Sequence, residues 1–173
     1  MEVRASSEMK PQGRKLTGYV SRFNEPADLG EFIEVIRPGA FTRTLGEPTA
    51  RNIRAIYEHD GRALLGRVGA GSLRLTEDAD GLAFEIDLPD TTLGRDLAAL
   101  VTRGDVAGCS FGFLPVRDSW IEESGRPMRE LLDVDLFEVT ITAAPAYDAS
   151  SVQVRHAQPR SIRLARLYLE ACQ

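Results

Sequence analysis

Apolar residues fall at every second position along Leu82-Ala-Phe84-Glu-Ile86-Asp-Leu88, the period of a strand that buries one face and wets the other. Asp80-Gly81 just before it is a hairpin turn signal. Comparable short runs bounded by turn residues predict strands over 16–23, 31–36, 52–57, 63–68 and 72–76, and later over 107–116, 129–142 and 151–155. The period changes over Thr91 to Arg103, where Leu93, Leu97, Leu100 and Val101 share one helical stripe. Asp90 or Thr91 can cap that helix, and Gly104 stands where a left-handed residue ends one. A shorter helix is expected over 40–45, after Pro38-Gly39, and an amphipathic one over 161–171. Many short strands, few helices and no strict strand-helix alternation predict a mainly β fold with peripheral helices, arranged as an antiparallel β-barrel. Residues 1–15 are polar and basic, so they read as a flexible N-terminal segment unless a sheet captures them. The fold is expected to start near Leu16, with a main domain over 16–157 and an amphipathic helix or tail over 158–173.

With 173 residues, 43% of them hydrophobic and 27% charged, the chain is the size and composition of one globular domain with a real core. Disordered, collagen-like and coiled-coil classes are excluded. No apolar stretch approaches the roughly 18 residues of a membrane span, and the N-terminus lacks the apolar region of a signal peptide, so the expected location is the cytoplasm. A net charge of −5 opposes a phosphate-tracking nucleic-acid binder. Two cysteines, Cys109 and Cys172, make neither a disulfide scaffold nor a zinc site, and His59 and His156 are too far apart in sequence for a His-x-x-x-His pair. No metal and no cofactor is expected. Gly66-Arg-Val-Gly69-Ala-Gly71 does not have the G-x-G-x-x-G spacing, and Asp78-Ala-Asp80-Gly81 lacks the remaining ligands of a calcium loop.

Three segments carry candidate chemistry. His59 ends a strand-like run in Tyr57-Glu-His59-Asp-Gly61; a lone histidine there is commonly a hydrogen-bonded turn residue, yet its pKa suits general base work. Ser110 lies in Gly108-Cys-Ser110-Phe-Gly112-Phe113. Glycines inside a strand mark a bulge or a close backbone approach, so Ser110 is either a residue that fits a tight corner or an exposed nucleophile with backbone N–H groups nearby. Glu138 lies in Asp133-Val-Asp-Leu-Phe-Glu138-Val-Thr140-Ile-Thr142. Strict alternation puts Asp135, Phe137, Val139 and Ile141 on one face and Leu136, Glu138, Thr140 and Thr142 on the other. Glu138 faces solvent unless His59 is near, in which case it can fix the imidazole tautomer.

Together these segments resemble the prohead proteases of tailed bacteriophages, capsid maturation peptidases related in fold to the herpesvirus assembly protease. The resemblance runs from about Leu16 to Val154. It is carried by Gly18-Tyr-Val-Ser-Arg-Phe-Asn24, Phe32-Ile-Glu-Val-Ile-Arg-Pro-Gly-Ala-Phe41, His59-Asp60, Leu65-Gly66, Asp80-Gly81-Leu82, Cys109-Ser-Phe-Gly-Phe113, Asp135-Leu-Phe-Glu-Val-Thr-Ile141 and Pro145-Ala-Tyr147. It implies a barrel of the herpesvirus-protease type and a serine endopeptidase with His59 as general base, Ser110 as nucleophile and Glu138 orienting the histidine. His156, the alternative third member by analogy with the herpesvirus enzymes, falls outside the matching motifs. The sequence departs from the family's usual pattern at Cys109, where methionine is common, and at Thr140, where serine is. Cys109 is a rival nucleophile, but neighbours in a strand face opposite ways, so only one of the two can meet His59.

The implied substrates and partners are the scaffold protein and the major capsid protein precursor, inside assembling proheads in the host cytoplasm, with self-cleavage and homo-oligomer formation as further expectations. Too few residues follow Val154 for a long scaffolding helix, so scaffold is expected as a separate chain or as part of the capsid protein. Two other readings use the same residues differently: a silent scaffold-binding assembly module, and an acyl hydrolase or esterase.

Overall fold

Leu82, Phe84, Ile86 and Leu88 are all buried, and the residues between them are half-buried or exposed, as a period of two requires. The computed structural model describes residues 1–6, 9–12 and 14–143. Among them the elements in chain order are β1 (Glu2–Ser6), β2 (Met9–Gln12), β3 (Lys15–Arg22), β4 (Ala27–Asp28), β5 (Ile33–Ile36), α1 (Thr42–Gly46), β6 (Arg54–Tyr57), β7 (Asp60–Arg67), β8 (Leu73–Glu77), β9 (Gly81–Asp87), α2 (Thr92–Arg103), β10 (Gly108–Glu123) and β11 (Arg126–Thr142). Single 3-10 turns lie at Pro48–Asn52 and Val68–Ala70.

The fold is mainly β. One sheet runs β1-β10-β11-β5-β4, with β6 on β11 and β7 on β6; the other runs β2-β3-β9-β8. β11 has 17 residues, roughly 55 Å of strand, and this length lets two short strands share one of its edges. Met128–Leu131 pair with β5 and Glu138–Ile141 with β6, both parallel, while β10 lies antiparallel along the other edge. The first sheet is therefore mixed, and no closed barrel is found among the described residues. The expectation of an antiparallel barrel came from short strands joined by turns. It could not foresee two parallel pairings between strands distant in sequence.

The chain enters the fold earlier than Leu16. β1 pairs with β10 and β2 with β3, so each sheet captures one half of the polar N-terminal segment. Glu2 is held by Arg129, whose guanidinium also meets Glu34 and Asp118. Two longer strands replace the predicted 107–116 and 129–142. They form a hairpin closed by Ser124-Gly125, both with positive φ, as two-residue hairpin loops of the primed types need. The expected strand over 151–155, helix over 161–171 and domain boundary at 157 lie outside the described residues.

α2 forms as its pattern predicts. Thr91 accepts a hydrogen bond from the Gly94 N–H at 3.2 Å, Leu97 and Val101 are buried, and Gly104 ends the helix at φ 85°. α1 is tied to β11 by Arg43, which donates to Asp133 and Asp135. In the hydrophobic core, Phe111 packs edge-on against Phe41 at 5.8 Å and stacks on Phe113 at 5.1 Å.

Phe111→Ala should destabilise the protein by about 3–5 kcal/mol, the usual cost of emptying a buried aromatic site, read as a lower urea midpoint at unchanged slope. A loss under about 1 kcal/mol would mean that this face of β10 is not core.

Candidate active site

Alternation along β10 separates Cys109, Phe111 and Phe113 from Gly108, Ser110 and Gly112. The first three are at most 1% exposed and belong to the hydrophobic core. Cys109 is thereby removed from the opposite face, and burial pushes its thiol pKa up, away from the thiolate that a nucleophile needs.

β11 supplies the facing residues, with one irregularity. Gly112 pairs with Glu138 and Phe113 with Leu136, which leaves Phe137 as an extra residue in a bulge. The bulge shifts the phase of the strand: Val134 and Leu136 are buried in the core on one side of it, Val139 and Ile141 on the other. Strict alternation had placed Leu136 with Glu138, and the bulge corrects that. Glu138, Thr140 and Thr142 keep the face shared with Ser110. Gly112 has a clear reason to lack a side chain, since a Cβ there would stand 2.9 Å from Glu138 Cγ and 2.7 Å from Met1 Sδ.

His59 arrives on a tight turn. Tyr57 pairs with Asp60, so Glu58 and His59 are the two loop residues of the β6–β7 hairpin, with φ of 50° and 56°. Neither is a glycine, and positive φ disfavours other residues. The turn is pinned against the end of β11. Glu58 N–H donates to the Ile141 carbonyl at 3.0 Å, and the Glu58 carboxylate accepts from Thr142 Oγ1 at 2.9 Å and from the Ala143 N–H at 2.7 Å.

This turn brings His59 Nδ1 to 3.2 Å from Glu138 Oε1. The imidazole is 36% exposed and the carboxylate side chain 9%. An ionised carboxylate only accepts, so the contact selects the Nδ1–H tautomer and leaves Nε2 as the free basic nitrogen. Thr140 Oγ1 lies 3.3 Å from the same Nδ1. Ser110 pairs directly with Thr140 on one side and with Ala5 of β1 on the other. Ser110 is 1% exposed and its Oγ has no hydrogen-bond partner among the described residues, a state that costs about 1–3 kcal/mol in a buried hydroxyl.

The structure thus brings His59 and Glu138 into contact and sets Ser110 beside them on the same sheet, without a hydrogen bond between Ser110 and His59. His156 lies outside the described residues. A profile of the caudovirus prohead serine protease family matches residues 1–163.

The chain belongs to that family. It is a serine peptidase with a phage prohead protease role. Comparisons with curated proteins and with solved structures gave no match. No helix among the protease's described residues is long and apolar enough to cross a membrane.

Two residues at the site escaped the sequence pattern. Glu58 carries no signal of its own in the sequence, where the next strand is expected to begin at Ala63, whereas it restarts at Asp60. Alternation places Thr140 on the Glu138 face, but nothing in the pattern marks its contact with His59.

In a Cys172→Ser background, Cys109 of the protease should resist Ellman's reagent while the protein is folded and react fully in denaturant. Rapid reaction of the native protein would place the thiol on the open face and restore it as a rival nucleophile.

Proposed function

We propose that this protease cleaves capsid and scaffold precursors inside assembling proheads, with Ser110 as nucleophile, His59 as general base and Glu138 as the group that orients and charge-balances the histidine. The observation that carries this reading is the 3.2 Å contact between His59 Nδ1 and Glu138 Oε1, on the sheet face that Ser110 shares.

The chemistry follows from the free nitrogen. His59 Nε2 takes the Ser110 hydroxyl proton as Oγ attacks the scissile carbonyl carbon, and the carbonyl oxygen becomes an oxyanion. Glu138 offsets the charge of the imidazolium so formed. As the tetrahedral intermediate collapses, the C–N bond breaks and His59 gives its proton to the leaving amine. Water then enters, is deprotonated by His59 and hydrolyses the acyl-enzyme ester, which restores the Ser110 hydroxyl. Catalytic hydrogen bonds often tighten only when substrate is bound, and the unpartnered Ser110 Oγ is free to make one. The protease's own chain is a further proposed substrate.

Co-expression with the capsid precursor and mass spectrometry of the products tests the reading. Ser110→Ala should leave a folded protein and an intact precursor. Glu138→Gln should reduce cleavage roughly 10² to 10³-fold, less than the ~10⁴ of a serine protease whose orienting group is aspartate, because glutamate has a longer stem. His156→Ala serves as control and should have little effect. A larger loss from the His156 change than from the Glu138 change, both proteins folded, would replace Glu138 with a second histidine. Intact precursor beside folded wild-type protein would overturn the proteolytic assignment and leave a silent assembly module.

A further inference from the structure

Glu138 has a demanding task for a flexible side chain. If it orients His59, its carboxylate has to stay at one place beside Nδ1, although glutamate has one more rotatable bond than aspartate. The strand neighbour two residues on offers a fixed point. Thr140 is 0% exposed, stands directly opposite Ser110 in the β10–β11 pairing, and places Oγ1 3.3 Å from His59 Nδ1 and 3.5 Å from Glu138 Oε1. We propose that Thr140 is a positioning residue of this site, its hydroxyl closing a hydrogen-bonded triangle with Glu138 and His59. The proposal rests on the reading of His59, Ser110 and Glu138 as the reacting set.

The donors and acceptors of the triangle are consistent. A hydroxyl has one O–H to give and two lone pairs to receive with. Thr140 O–H donates to Glu138 Oε1, the longer of its two contacts, and Thr140 Oγ1 accepts part of the His59 Nδ1–H that is aimed mainly at Glu138. The imidazole is thus held at its Nδ1 edge by two acceptors on one strand. Side-chain freedom matters here as well. Threonine is branched at Cβ and stiff at χ1, and both Thr140 and its partner Glu138 stand on β11 beyond the Phe137 bulge, so the two acceptors keep a constant spacing. Nothing in this scheme requires Thr140 to touch substrate.

Two substitutions make opposite statements about this hydroxyl. Thr140→Val keeps the branched shape and removes the O–H, whereas Thr140→Ser keeps the O–H and leaves a methyl-sized gap. The measurement is kcat and KM of the full chain on a peptide spanning a capsid-precursor cleavage junction, with urea midpoints taken in parallel. For a positioning role, Thr140→Val should lower kcat about 10 to 100-fold, by analogy with the groups that hydrogen-bond metal-ligating histidines, with KM nearly unchanged, and Thr140→Ser should stay within a few-fold of wild type. A residue that only fills space gives the reverse order, with valine harmless and serine costly. That order, or equal losses from both, would overturn the proposal. If the valine protein does not fold, Thr140→Ala must show the same kcat loss against an active Thr140→Ser. Wild-type protein without any cleavage would overturn the catalytic reading itself, a result distinguishable because it requires no variant.

Discussion

The register in which residues 108–112 of β10 pair with residues 138–142 of β11 is what every other feature of the site hangs on. A strand shows its side chains alternately to two faces, and here one face is the core while the other carries the residues proposed to react. Cys109, Phe111, Val139 and Ile141 take the first, Ser110, Glu138 and Thr140 the second. A slip of one residue would send the serine into the core and the cysteine out of it. The aromatic packing of Phe111 between Phe41 and Phe113 makes that slip expensive, because it would expose buried rings. Core packing and site geometry are thus one constraint seen from two sides of a sheet.

Two local departures from regular structure then adjust what the register alone could not deliver. The Phe137 bulge changes the phase of β11 so that Val134 and Leu136 are buried as well as Val139 and Ile141, while Glu138 remains opposite Gly112. The Glu58-His59 turn holds two residues other than glycine at positive φ, and the hydrogen bonds from Thr142 and Ala143 to Glu58 hold it against β11. Strain of this kind persists only where the surroundings over-determine it. Its result is an imidazole placed from one strand pair against a carboxylate from another.

Much of this was legible before any coordinates. β9 and α2 are half-buried elements whose periods of 2 and 3.6 residues are written in Leu82 to Leu88 and Leu93 to Val101. Residue type and setting marked His59, Ser110 and Glu138 as candidates with a bland alternative each, the family resemblance implied their roles, and Gly112 stood out by its place inside a strand. What escaped has physical causes. Val116, Trp120 and Ile121 of the hairpin arm are exposed, so no alternation of burial marks them. The parallel pairing of β5 and β6 with β11 joins segments distant in the chain, which local pattern does not encode. β1 and β2 are short and polar, and only their partner strands make them strands. A bulge adds one residue without any composition signal, which is why Leu136 was assigned to the wrong face.

The central claim is that Ser110 is the atom source for attack, although its hydroxyl is buried between β1 and β11. Reaction of the native protease with a peptidyl fluorophosphonate, followed by peptide mapping, tests this most directly, since fluoride leaves as the nucleophile's oxygen bonds to phosphorus and marks the residue permanently. The account predicts a single adduct on Ser110, formed in step with loss of precursor cleavage. An adduct on another residue, or full loss of cleavage with Ser110 unmodified, would contradict it.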